Sequence, residues 1–261
     1  MTPPVLPLAE VVTFLMILMR VGAILVMMPI FGERVVPAQV KAALSVVIAV
    51  LVYPVLNVPL TQVPTDSTVQ LLLAMGGEIL IGIVIGFVSR IVFAAVQTAG
   101  ELMGFQMGVA IANVIDPVSS TQVSILSEFL YLMALLIFVT VDGHHIFLAA
   151  ITESYRTIPA LGGIFGSHAV REMVLLTRDV FVTGLRLSAP VVAVVFFVNV
   201  SLGLIARTVP QINVFIVGFP VQVFAGLLFL GLAMPFIVAL IAGEIGDVWG
   251  EVRRLLVLMT A

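Results

Sequence analysis

Residues 187–206 read LSAPVVAVVFFVNVSLGLIA, residues 208–243 read TVPQINVFIVGFPVQVFAGLLFLGLAMPFIVALIAG, and the only charge between the two stretches is Arg207. A helix rises about 1.5 Å per residue, so roughly 20 apolar residues cross a hydrocarbon core of about 30 Å. Both stretches reach that length, and residues 42–65 form a third uncharged run. They predict an all-α membrane protein. The two long stretches form a hairpin, with arms over 187–206 and 212–242 around a turn at 207–211. The second arm, at 31 residues, would extend about 46 Å, more than a bilayer core. Pro220 and Pro235 therefore kink it, or part of it lies outside lipid.

The rest of the composition agrees. Hydrophobic residues fill 62% of the 261 positions and charged residues 10%, against about 25% charged in ordinary soluble domains. A water-facing surface cannot be built from that. The formal charge of −3 sets 14 acidic residues against ten Arg and one Lys, Lys41. With no basic run there is neither a nucleic-acid surface nor a polybasic lipid patch. Cysteine is absent, which removes disulfide and thiolate chemistry. The opening MTPPVLPLAEVV has no basic region before its apolar stretch and does not read as a signal peptide.

Working outward along the chain, residues 8–31 predict one helix, interrupted by Glu10 and Arg20. A turn over 32–41 leads to a second helix over 42–60, which Pro54 and Pro59 distort or end. A third helix covers 69–96 and contains Glu78 and Arg90, about 18 Å apart along its axis and so unable to pair with each other. Residues 97–122 are less apolar and rich in small residues. An apolar helix over 123–141 is broken at 142–145, an amphipathic segment follows over 147–155, and residues 169–186 read as a separate helix outside the membrane. The tail, 244–261, is amphipathic. The sum is roughly six long apolar helices arranged as bent hairpins. With six passes and the Arg34–Lys41 turn inside, Arg156, Arg171, Arg178, Arg253 and Arg254 fall outside, which violates the positive-inside rule.

Seven charged residues, Glu10, Arg20, Glu78, Arg90, Glu101, Glu128 and Arg186, lie in or beside apolar helices, where an unpaired charge is expensive. They form a proton or ion pathway, or they pair between helices or subunits; pairing fits better, because they do not cluster at one depth. Gly100, Gly104 and Gly108 recur every four residues on one helix face, suited to close packing or to a hinge. Met103, Phe105 and Met107 alternate among them, and flexible methionines either seal a deformable constriction or fill gaps in a core. Asp116 and Pro117, followed by Ser119, Ser120, Thr121 and Gln122, carry turn chemistry; such a turn lines a cavity or is an exposed loop. His144 and His145 are adjacent and diverge on a helix or strand, so no metal site is expected. No phosphate loop, nucleophile elbow or carboxylate dyad is present, and no enzyme activity or cofactor is expected.

Four motifs carry a family resemblance: MPIFGERVVPAQVK (28–41), FQMGVAIANVIDPVSSTQV (105–123), VDGHHIFLAAITESYRTIP (141–159) and ARTVPQINVFIVGFPV (206–221). Together they resemble the FliR family of flagellar export gates and its injectisome counterparts in type III secretion. The resemblance implies a non-enzymatic subunit that joins FliP and FliQ at the entrance of a channel for unfolded flagellar proteins. The apparatus also contains FlhA and FlhB, and sits in the bacterial inner membrane at the flagellar basal body. It implies a FliP-like portion over about 1–179 and a FliQ-like hairpin and tail over about 180–261, in hairpins raised out of the usual bilayer plane. It also implies a plug over 104–122, carried with Met103 by Phe105, Met107, Ile111, Asn113, Val114, Asp116 and Pro117. Many relatives have aromatic residues just before the Asp-Pro pair, where this chain has Ile111 and Val114. Arg207, Pro210, Gln211 and Asn213 correspond to a cytoplasmic turn docking FlhB; without the resemblance they read as a simple hairpin turn anchored by Arg207. The rival class, a proton or solute secondary transporter, requires internal repeats meeting at midplane polar sites, and no convincing repeat aligns.

Overall fold

A computed structural model describes residues 8–33, 35–56, 67–109, 124–159, 166–209, 211 and 213–260. Among these there is no strand. The helices are α1 (Leu8–Met27), α2 (Ala38–Val52), α3 (Thr68–Gln106), α4 (Ile125–Thr140), α5 (Gly143–Thr157), α6 (Ser167–Thr208) and α7 (Val214–Thr260), with one 3₁₀ turn at Tyr53–Val55. Five spans are long and apolar enough to cross a membrane, α2 counting together with its 3₁₀ turn, and six if the bent pair α4 and α5 is counted as one. The expected all-α architecture is present.

Several boundaries differ from expectation. α3 runs ten residues beyond the anticipated end at Val96, so the small-residue stretch begins as helix. Its glycines lower propensity but sit on a buried face, where packing outweighs a loss of roughly 1 kcal/mol each. α6 is one helix of 42 residues, so 169–186 is not separate from the apolar arm that follows. Pro190 lies inside it without ending it. α7 likewise absorbs the amphipathic tail and passes through Pro220 and Pro235, reaching 47 residues. At about 1.5 Å per residue α6 and α7 are roughly 63 and 70 Å long, twice a bilayer core.

The chain forms two compact units. One comprises 1–90, 142–176 and 246–261, the other 91–141 and 177–245; α3, α6 and α7 contribute to both. In the first unit α1 packs on α3 through Gly82 and Gly86. A side chain at Gly82 would stand 2.6 Å from the Arg20 carbonyl oxygen and from Ala23 Cβ. In the second, Phe93 of α3 meets Tyr131 and Phe138 of α4 edge to face, at centroid distances of 5.7 and 5.8 Å. The spans differ sharply in burial. In α3, 67% of the apolar window is buried inside the chain, but in α6 and α7 only 11% and 22%. The last two helices therefore present Phe181, Phe197, Phe224 and Leu232 outward. Apolar surface on that scale belongs against lipid or other helices.

Candidate functional site

The far end of α3 shows three glycines doing different work. At Gly100 a Cβ would lie 2.7 Å from the Ser127 backbone nitrogen, so α3 and α4 meet backbone to backbone, and Ser127 Oγ donates to the Gln97 carbonyl at 3.0 Å. At Gly104 a Cβ would meet Ser124 Oγ at 2.5 Å. Gly108 instead ends the helix: its φ is 78°, its N–H donates to the Phe105 carbonyl at 3.0 Å, and the Val109 N–H donates to the Gly104 carbonyl at 3.1 Å. That pair of bonds with a left-handed residue is a Schellman stop, a conformation that glycine adopts without a steric penalty. Met103 and Met107 are fully buried, Met107 against Gly226 of α7, where a Cβ would stand 2.5 Å from its Cε. Phe105, between them, is 74% exposed. Ile111, Asn113, Val114, Asp116 and Pro117 lie outside the described residues.

The turn between α6 and α7 is built from local chemistry. Arg207 stands in the last turn of α6, where a cation complements the helix carbonyls. Asn213 Oδ1 accepts from the Ile216 N–H at 3.3 Å, an N-cap on α7. Asn213, one of the residues expected in the docking turn, thus also has a structural task. Thr208 and Gln211 are exposed, as are Arg207 and Asn213, and Pro210 lies outside the described residues. Further along the two arms, Gln222 Nε2 donates to Asn199 Oδ1 and Thr183 Oγ1 donates to Glu244 Oε1 at 3.3 Å. The polar groups inside apolar helices find one another across the hairpin.

The first motif, 28–41, is a tight reversal. Ile30 has φ 76°, unusual for a β-branched residue. The Gly32 N–H donates to the Met28 carbonyl at 2.7 Å, and Lys41 Nζ donates to the Gly32 and Glu33 carbonyls at 3.2 and 2.8 Å. The chain's single lysine fastens the corner.

Of the seven charges singled out from the sequence, two form a buried pair. Arg20 Nε donates to Glu78 Oε2 at 2.6 Å, with the side chains 0% and 1% exposed. Arg20 Nη1 donates to Ser154 Oγ at 3.2 Å and to the Ile158 carbonyl at 3.0 Å. The guanidinium lies 3.8 Å from the centroid of the Tyr155 ring, a cation–π contact at a buried site, and the Tyr155 hydroxyl donates to Glu78 Oε2 at 3.5 Å. One cation thus ties α1, α3 and the end of α5. The spacing that could have revealed it is Glu78–Gly82–Gly86: the carboxylate shares a face with the two glycines that admit α1. Glu10 borders a pocket of about 330 Å³ with Val11, Phe14 and Tyr53. Arg90, Glu101, Glu128 and Arg186 are exposed and have no ion-pair partner among the described residues. His144 and His145 do not diverge; their ring centroids are 4.2 Å apart.

Residues 11–248 match the family described as bacterial export proteins, family 1. Among curated proteins the chain is 36% identical over 220 residues to the flagellar biosynthetic protein FliR of Escherichia coli (strain K12), covering 84% of this chain and 83% of that one. It is 35% identical over 218 residues to the protein of the same name from Pectobacterium carotovorum subsp. carotovorum, covering 84% and 82%. With its counterpart in Bacillus subtilis (strain 168) it shares 34% identity over 249 residues, covering 94% and 95%.

Proposed function

The chain belongs to the bacterial export proteins, family 1, and from that premise we propose that it is a non-enzymatic subunit of the flagellar type III export gate. In this reading it forms the channel entrance for unfolded flagellar proteins with FliP and FliQ homologues, braced by an FlhB homologue and with an FlhA homologue as a further partner, in the inner membrane at the basal body. The observation that carries the reading is similarity to proteins named flagellar biosynthetic protein FliR along most of both chains. The outward apolar faces of α6 and α7 support it, since such faces suit neighbouring subunits. Residues 1–179 then take the place of a FliP-like portion and 180–261 that of a FliQ-like hairpin. A solute or proton transporter would need polar sites meeting at mid-membrane, whereas Arg20 and Glu78 neutralise one another.

Within the gate, residues 104–122 are the plug, rooted in the last turn of α3 that the Gly108 stop closes. The buried anchors Met103 and Met107 hold its root in place while Phe105 faces out, and Ile111 and Val114 supply the apolar seal. An apolar constriction gates by excluding water. Shortening residues 111–119 is therefore expected to make assembled complexes leak ions. The test is conductance in planar bilayers, with co-purification of FliP and FliQ homologues through a tag on this chain as the check on assembly. Assembled complexes that neither leak nor change export would reduce the segment to a connector, and absence of those homologues would remove the gate assignment itself.

A further inference from the structure

We propose that Asp142, His144 and His145, at the start of α5, bind a divalent transition-metal ion of the zinc class. One ligand atom from each of the three side chains lies within 4.8 Å of the others. His144 Nε2 is 4.0 Å and His145 Nδ1 3.9 Å from the same oxygen, Asp142 Oδ1. Zinc bonds of about 2.0–2.2 Å to nitrogen and oxygen hold tetrahedral donors roughly 3.3–3.5 Å apart. A contraction of about half an ångström at each carboxylate contact, and of up to about 1.4 Å between the two imidazole donors, would bring all three side chains onto one ion. Side-chain exposure of 70% at Asp142, 39% at His144 and 65% at His145 leaves the rotamers free to make it.

The local backbone favours this use of Asp142. It occupies the N-cap position of α5 yet makes no side-chain capping bond, and its φ of 55° is left-handed. An aspartate at an N-cap ordinarily accepts from the first turn of the helix; here Asp142 Oδ1 instead lies 4.0 and 3.9 Å from the two imidazoles. The positive end of α5 opposes a cation, so the carboxylate is the ligand that makes the site tenable. Two imidazoles and a carboxylate suit zinc, nickel, copper or iron rather than magnesium or calcium. Three protein donors leave a coordination position for water or for an incoming donor.

The test uses the full chain purified within its native membrane complex through a histidine-free tag. Zn²⁺ is titrated against a chromogenic chelator, and Co²⁺ is added as a spectroscopic substitute. Wild type should bind one more equivalent per chain than the Asp142→Asn/His144→Ala/His145→Ala variant, and should give a visible Co²⁺ spectrum that the variant lacks. Loss of an outer-shell partner lowers metal affinity about 10–100-fold. His145→Gln alone removes a direct ligand at an exposed position and should lower affinity by at least that much, which keeps the test decisive if the triple variant fails to assemble. His168→Ala should bind as wild type does. Equal binding by wild type and the His145→Gln variant, or loss of the ion in His168→Ala, would overturn the assignment.

Discussion

The Arg20–Glu78 pair offers the sharpest test of the first unit. Replacing Glu78 by Leu leaves a guanidinium that is 0% exposed with only Ser154, the Ile158 carbonyl and the Tyr155 ring around it among the described residues. Removing one partner of a buried pair costs about 3–5 kcal/mol, which at 1.36 kcal/mol per decade lowers the folding equilibrium constant by roughly 10²–10⁴-fold. Arg20→Met should cost a similar amount, because Glu78, 1% exposed, is then buried without its cation. The double variant should be milder than either. Both charges are gone, and what remains is chiefly the Ile158 carbonyl deprived of its donor, a loss of about 1–3 kcal/mol. The singles would sum to about 6–10 kcal/mol, so the cycle predicts a coupling energy above about 3 kcal/mol. The assay is SDS titration in mixed micelles, followed by the fluorescence of Trp249, the single tryptophan, which lies in the same unit as the pair. Additivity of the two singles within about 0.5 kcal/mol, or singles below about 1 kcal/mol, would refute the reasoning.

The α1–α3 contact predicts opposite signs at two glycines of one helix. Gly82→Ala forces a Cβ to 2.6 Å from the Arg20 carbonyl oxygen and should cost about 1–3 kcal/mol, while Gly77→Ala, with nothing within 4 Å, should stabilise by about 0.5–1 kcal/mol; the same titration reads both. At Gly108, with φ 78°, alanine should cost roughly 1–2 kcal/mol and asparagine less, measured as loss of stability together with helix content by circular dichroism. Cysteines at the exposed Thr208 and Gln211, in a chain with none of its own, should be labelled from the cytoplasm and cross-link to an FlhB homologue in assembled complexes. Periplasmic labelling, or no cross-link where that homologue is present, would end the docking proposal for this turn.

The sequence by itself determined the class. Uncharged runs as long as 187–206 and 208–243 admit membrane helices, because hydrocarbon leaves an unpaired peptide group no partner outside its own helix. Glycines every four residues likewise marked where α3 would take a close neighbour. Helix ends were less legible. α6 and α7 continue through prolines and through charged, amphipathic sequence, since a lost backbone bond or a change of polarity need not end a helix that is otherwise well paired. Partners were not legible at all. Glu78 and Arg90 share a helix in the sequence, but only the approach of α1 over Gly82 and Gly86 decides that Glu78 faces Arg20, 58 positions away, while Arg90 faces outward. The same holds for Asn199 with Gln222 and for Thr183 with Glu244. Periodicity fixes which face of a helix a charge occupies. Which charge meets it depends on how two helices cross, and that is set by the shapes of all the side chains between them.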